Sequence, residues 1–170
     1  MIADQGPTRN YEEILNDMVG QYQSALLNMC LICLKNRASA EDAVQETFIK
    51  AYRALPNFRG ECSEKTWLMR IAINTCRDMT RTPWFRHTDR RVTPEDMTGL
   101  AAPEQQSSGL AAEISSLPDR YRDVLLLYYY QDMKLEEVAA ALNTSPATVS
   151  RRLKAAREKL RGVLERGSEL

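Results

Sequence analysis

The 170-residue chain is predicted to be all-α, with two small helical domains joined by a flexible linker and a helix-turn-helix in the second. Three observations predict it. Apolar residues recur at spacings of three and four through nearly every segment. Between residues 81 and 109, Pro83, Pro94, Gly99, Pro103 and Gly109 interrupt any long helix, in a stretch too long for a tight loop inside one domain. From Leu135 to Leu160 the pattern is two short helices around a sharp turn. The expected boundaries are 1–80 for the first domain, 81–109 for the linker and 110–170 for the second domain.

In chain order, residues 1 to 10 are expected to form a mobile tail. Asn10 is placed to cap a helix, with Glu13 three residues on completing a capping box. The stripe Ile14, Met18, Tyr22, Leu26, Cys30 and Cys33 carries that helix to about Asn36. Ser39 is the expected start of the next helix. Its apolar side is Ala40, Val44, Phe48, Ala51, Tyr52 and Leu55, and its polar side shows Glu41, Asp42, Gln45, Glu46 and Lys50. Pro56 stops it, because proline lacks the N–H a helix interior needs. The loop Asn57-Phe58-Arg59-Gly60-Glu61-Cys62 follows, and Ser63 opens a third helix to about Thr80. Trp67, Leu68, Ile71, Ala72 and Thr75 form one side of it; Arg70, Asn74, Arg77 and Asp78 are polar positions along it. An aromatic loop beside Arg and Asn supplies what unstacked bases need: rings to stack on, amide hydrogen bonds and neutralised phosphate. The plainer alternative makes Phe58 and Trp67 core residues, and Trp67 is expected to be partly that.

Trp84, Phe85 and the lone His87 lie at the start of the linker, where a short ordered turn fits. The second domain opens with Leu110 to Leu117. Ser116, Pro118 and Asp119 then start a helix over PDRYRDVLLLYYYQDM, with Val124, Leu125, Leu127, Tyr128 and Met133 as core. Leu135 to Leu142 is the first helix of the turn motif. Asn143 tolerates the left-handed backbone of a sharp exit, Ser145 caps the second helix and Pro146 suits its first turn. Val149 and Leu153 face inward. Thr148, Ser150, Arg151, Arg152, Lys154 and Arg157 remain for the outer surface of a helix fit to enter a DNA major groove.

Formal net charge is zero, but the charges are segregated. Residues 1–46 hold seven acids and three bases; 65–91 hold seven bases and two acids; 145–166 hold seven bases and two acids. An acidic front fits a protein partner and the two basic patches fit phosphate, although solvated helix faces produce similar blocks. No run approaches the ~18 apolar residues of a membrane span. The first residues lack the basic start and apolar stretch of a signal peptide. A cytoplasmic protein with reduced cysteines is expected. Cys30 and Cys33 form a CxxC inside an apolar helical run, without a second pair or a nearby histidine, and are expected to pack as small apolar thiols. With one histidine, no metal-ligand cluster and no glycine-rich phosphate loop, no catalytic residue, metal or cofactor is expected, and the chain is not read as an enzyme.

Four blocks in order carry a family resemblance: DAVQETFIKAY (Asp42 to Tyr52), NFRG (Asn57 to Gly60), TWLMRIAINTCRD (Thr66 to Asp78) and the long run from Leu117 to Leu160. Together they resemble a bacterial RNA polymerase sigma factor of the extracytoplasmic-function (ECF) type, over almost everything from Tyr11 to Leu164. The resemblance implies that the first domain grips the clamp helices of the polymerase's largest subunit, with Asp42, Gln45, Glu46 and Phe48 in the matching segment. It implies that the NFRG loop and the following helix melt and read the promoter's minus-ten element as single strand with a flipped base, through Asn57, Phe58, Arg59, Trp67, Arg70, Asn74, Arg77 and Asp78. The second domain would bind the flap tip of the other large subunit and read the minus-thirty-five element. In the family the recognition helix often carries TV[KR]SR, whereas this chain has Ser150 where the base usually stands, Arg151 where the serine does, and Ala155 at a position often basic. Which of Ser150, Arg151 and Lys154 reads bases is therefore left open. A cognate anti-sigma factor is a further implied partner. The competing function is a stand-alone helix-turn-helix regulator of duplex DNA, which has no use for the first domain's acidic helix and aromatic-basic surface.

Overall fold

Among residues 9–87 and 107–168, which the computed structural model describes, every regular element is helical. The expected N-terminal tail and most of the expected linker lie outside these residues.

Helix α1 (Tyr11–Leu34) starts where the Asn10 side chain accepts from the Glu12 backbone N–H at 3.2 Å. Its expected stripe is realised at Met18, Leu26, Cys30 and Cys33, all buried. In its last two turns Met29 to Leu34 are buried on every side. A helix apolar all round needs neighbours all round. Here α2 (Arg37–Ala54) and α3 (Glu64–Thr80) lie against α1, and so does α5 (Ser107–Ser116) of the second half of the chain. Lys35, at φ 60°, turns the chain out of α1.

Helix α2 (Arg37–Ala54) begins two residues before the expected Ser39. The Asn36 carboxamide accepts from Ser39 N–H at 2.9 Å, so asparagine is the cap and Ser39 is buried in the first turn. A short 3₁₀ turn (Leu55–Asn57) carries Pro56, and Gly60 takes a left-handed φ of 72° in the loop beyond it. Ser63 caps α3 (Glu64–Thr80), accepting from Thr66 N–H at 3.1 Å. The ordered turn after it is the short helix α4 (Pro83–His87), which buries Phe85 and leaves Trp84 exposed.

In the second half, α5 (Ser107–Ser116) precedes α6 (Asp119–Leu125). The expected single helix over residues 118–133 does not run through. It widens into a π-helical segment, Leu126–Tyr130, in which Gln131 N–H donates to the Leu126 carbonyl at 3.0 Å, and it ends at Asp132 with φ 52°. The extra residue per turn buries both Leu126 and Leu127 and turns Tyr129 outward. Helix α7 (Leu135–Ala141) and helix α8 (Pro146–Ser168) follow the helix-turn-helix pattern. Asn143 has φ 52°, Thr144 N–H closes back on the Ala139 carbonyl at 3.0 Å, and Ser145 Oγ accepts from Thr148 N–H at 3.2 Å. Val149, Leu153 and Ala156 seal α8 against the core.

Candidate nucleic-acid interfaces

The loop after α2 and the first turns of α3 build one concave site. Phe58 stacks on Trp67 with ring centroids 4.6 Å apart and planes 26° apart. The pair walls a cavity of about 230 Å³ that Asn57, Arg59, Glu61, Cys62 and Arg70 also line. Trp67 leans on the hydrophobic core, as expected, and also lines the cavity. Glu61 and Cys62 were not expected in the site. Their only sequence signal is position in the same loop.

Farther along α3, spacings of four and three bring Arg70, Asn74 and Arg77 onto one face. Asn74 is exposed. The two arginines meet the second half of the chain. Arg70 donates through Nε (3.1 Å) and Nη2 to the carbonyl of Ala140 in the last turn of α7, which also accepts from Asn143 N–H at 3.4 Å. Arg77 donates to Asp123 Oδ2 through Nη2 at 2.7 Å and Nε at 3.2 Å. Asp123 also accepts from Arg122, which reaches Asp119 as well. Two more contacts join the halves: Lys65 Nζ donates to the Gln131 carbonyl, and Gln131 Nε2 donates to Ala25 O at 3.1 Å. Asp78 points elsewhere, 3.9 Å from Lys50 Nζ.

Asp123 is 1% exposed, so losing water pushes its carboxyl above the usual range, and Arg122 and Arg77 hold it down in part. Arg122 stays cationic. Burial works against its charge, but the Asp123 and Asp119 carboxylates beside it raise it above its ordinary value. The sequence signal for this cluster is Asp119, Arg122 and Asp123 at spacings of three and four in the charged stretch before the apolar run that starts at Val124, which the amphipathic pattern alone does not flag.

On α8 the outer face presents Ser150, Arg151 and Lys154 to solvent, with Arg152 and Thr148 half-buried beside them. Arg151 Nη2 donates to Thr148 Oγ1 at 3.2 Å, which orients the guanidinium along the helix start. Arg157 departs from this group. Its Nε donates to the Tyr129 hydroxyl at 2.6 Å, and it lines an apolar groove of about 540 Å³ with Leu110, Ile114, Leu125, Tyr130 and Leu160. The outward Tyr129 of the π segment draws it there.

On α2, Asp42 and Gln45 are exposed and Glu46 is half-buried, whereas Phe48 is 9% exposed in the core. Phe48 therefore packs α2 onto its neighbours and presents no surface to a partner. The cysteines Cys30, Cys33 and Cys76 are all buried, with Cys76 Sγ donating to Cys30 Sγ at 3.6 Å. The Cys33 thiol is held well above its ordinary value by its hydrogen bond to Cys76 and by burial, as expected of packed thiols. Among the described residues no three His, Cys, Asp or Glu side chains are grouped to hold a metal, and no helix is long and apolar enough to cross a membrane.

Comparison with known proteins agrees with this geometry. Residues 18–86 match the model for Sigma-70 region 2, and residues 109–160 match that for Sigma-70, region 4. The chain is 32% identical to the RNA polymerase sigma-H factor of Pseudomonas aeruginosa, covering 87% of this chain and 84% of that protein. It is 30% identical to the ECF RNA polymerase sigma factor SigW of Bacillus subtilis, covering 88% of each. Among solved structures, CnrH in complex with the cytosolic domain of CnrY superposes with a TM-score of 0.72 at 26% identity, over 91% of this chain and 89% of that one. RpoE in complex with the anti-sigma factor NepR from Bartonella quintana gives 0.75 at 19% identity, over 90% and 98%, a likeness of fold. The two half-matches in order, and relatives aligned over nearly their whole length, establish that the chain belongs to the ECF RNA polymerase sigma factors.

Proposed function

We propose a division of labour for this sigma factor, a transcription initiation factor acting with core RNA polymerase in the cytoplasm. Residues 1–80 bind core and read the minus-ten element, 81–109 connect, and 110–170 read the minus-thirty-five element. The observation that carries the reading is the cavity beside the Phe58–Trp67 stack, large enough for one unstacked base and ringed by Asn57, Arg59 and Arg70. An aromatic wall accepts any base face, and amide and guanidinium groups at the rim supply hydrogen bonds and charge. Asn74 extends the surface along α3, and Arg77 and Asp78 lie at its far end.

For upstream duplex the proposed contacts are Ser150, Arg151 and Lys154, flanked by Thr148 and Arg152. Their support is exposure on the first turns of a capped helix. Arg157 is assigned instead to the rim of the apolar groove. Asp42, Gln45 and Glu46 offer an acidic surface to core. The groove, lined by leucine, isoleucine and tyrosine, suits the apolar face of a partner helix, and an anti-sigma factor is the proposed regulator.

Transcription in vitro tests the reading. Core polymerase and pooled genomic fragments, with and without the protein, should yield new transcript starts that share two upstream motifs. Arg151→Ala should weaken the upstream motif's contribution by about 1–3 kcal/mol. Duplex binding without core, and no new starts, would instead mark a stand-alone regulator.

A further inference from the structure

We propose that the cleft where the ends of α1, α3 and α5 meet α6 binds a small phosphate-bearing molecule, which makes this chain itself a receptor for a diffusible ligand. The cleft encloses about 360 Å³, the space of roughly twelve waters. Its charged lining is Lys35, Arg81, Arg122 and Asp119, three cations to one acid. Lys35 closes α1, Arg81 closes α3 and Arg122 belongs to α6, so the three cations come from separate elements. A phosphoryl group turns oxygens in several directions and accepts from donors arranged in that way, whereas a carboxylate offers one planar edge.

Cations at helix ends commonly answer the carbonyl dipoles alone. That explanation leaves the Ser115 hydroxyl over. Ser115 lines the cleft and is 2% exposed, and among the described residues its hydroxyl is the one buried side-chain oxygen or nitrogen without a hydrogen-bond partner. A helical serine ordinarily returns its proton to a carbonyl one turn back, as its neighbour Ser116 does to the Glu113 carbonyl at 2.7 Å. A buried hydroxyl without an acceptor is costly, and a ligand oxygen at this wall satisfies it.

Asp119 does not close the cleft to an anion. Its side chain is 57% exposed and meets Arg122 Nη2 at 3.0 Å, so it can swing into water when a ligand oxygen takes its place. Arg122 keeps its contact with Asp123, whose charge Arg77 also meets. The burial of Ser115 limits the size of the ligand. A phosphate fixed in a nucleic-acid backbone does not reach a wall this deep, whereas a free phosphate or a small ester does. The lining is drawn from both matched regions, Lys35 and Arg81 from the first and Ser115 and Arg122 from the second, so neither region builds the site alone.

Calorimetric titration of the full chain with inorganic phosphate, pyrophosphate and glycerol phosphate, and with citrate as a carboxylate control, tests the site. At least one phosphate probe should bind one per chain and raise the melting temperature, as a ligand of the folded state must. Arg81→Gln changes an exposed residue outside the proposed DNA and polymerase contacts and should weaken that binding about 10-fold or more, the value of a charge-assisted hydrogen bond. Ser115→Ala should weaken it about 3-fold and leave the melting temperature of the unliganded protein at the wild-type value, since no hydrogen bond is lost. Tightest binding of glycerol phosphate would make the ligand an ester, and tightest binding of phosphate or pyrophosphate an inorganic ion; either supports the site. No phosphate probe bound at millimolar concentration would overturn the proposal. So would binding that Arg151→Ala abolishes and Arg81→Gln leaves intact, because the anion would then sit on α8. Citrate bound as tightly as the phosphate probes would overturn the choice of phosphate. If circular dichroism shows Ser115→Ala unfolded, Arg81→Gln decides.

Discussion

The two surfaces proposed to read DNA differ in what occupies them. On α8, Ser150, Arg151 and Lys154 face solvent. On α3, Arg70 and Arg77 are committed to acceptors in the other half of the chain, and only Asn74 between them is exposed. The difference follows from the substrate each surface is built for. A recognition helix meets duplex DNA as a preformed convex ridge, so exposure costs it nothing. A single-strand surface needs aromatic rings and unpaired donors, which favour other partners when no nucleic acid is present. The α8 residues proposed for duplex DNA are thus exposed, while two of the α3 residues proposed for single-stranded DNA are hydrogen-bonded within the protein.

The comparison breaks most severely at Leu153. This side chain is 2% exposed and pins α8 to its domain. Leu153→Ala should destabilise the second domain by about 2–5 kcal/mol. Urea unfolding and duplex footprinting would show lost stability and lost minus-thirty-five binding together. If upstream binding survived that loss of stability, α8 would not be held by this contact.

Asn74→Ala sharpens the comparison from the other side. Asn74 is exposed, so thermal stability and core affinity should stay at wild-type values. Promoter opening, read by permanganate reactivity of unpaired thymines, should fall about tenfold, the value of one to two hydrogen bonds to a base. Normal opening would remove Asn74 from the single-strand surface.

The smallest effect is expected at the cap of the recognition helix. Ser145→Ala removes the acceptor of Thr148 N–H and should cost about 1 kcal/mol of helix stability. Its consequence should be confined to upstream affinity. A change in promoter melting would mean that the two surfaces are coupled through α8 itself.

Local chemistry made much of this legible in one dimension. The caps at Asn10, Ser63 and Ser145, the left-handed exit at Asn143 and the stop at Pro56 each depend on a few adjacent residues. The same holds for Val149 and Leu153 against Ser150, Arg151 and Lys154, because helical period alone separates them. Where two local solutions compete, pattern was not enough. Asn36 took the cap expected of Ser39, and the apolar run LLLYYY accommodated a π turn that hydrophobic spacing does not distinguish from a regular helix.

The chain's own residues thus determined its helical class, its turn motif, its aromatic-basic loop and its family, since each is written in short-range pattern and composition. Only the tertiary structure decided which side of each polar residue is occupied. It set Phe48 in the core, drew Arg157 to Tyr129 and joined Arg77 to Asp123 across a sequence separation of forty-six. The reason is physical. A hydrogen bond between distant groups depends on where the packing of whole helices brings them, and periodicity specifies a helix's face but not the neighbour that face will meet.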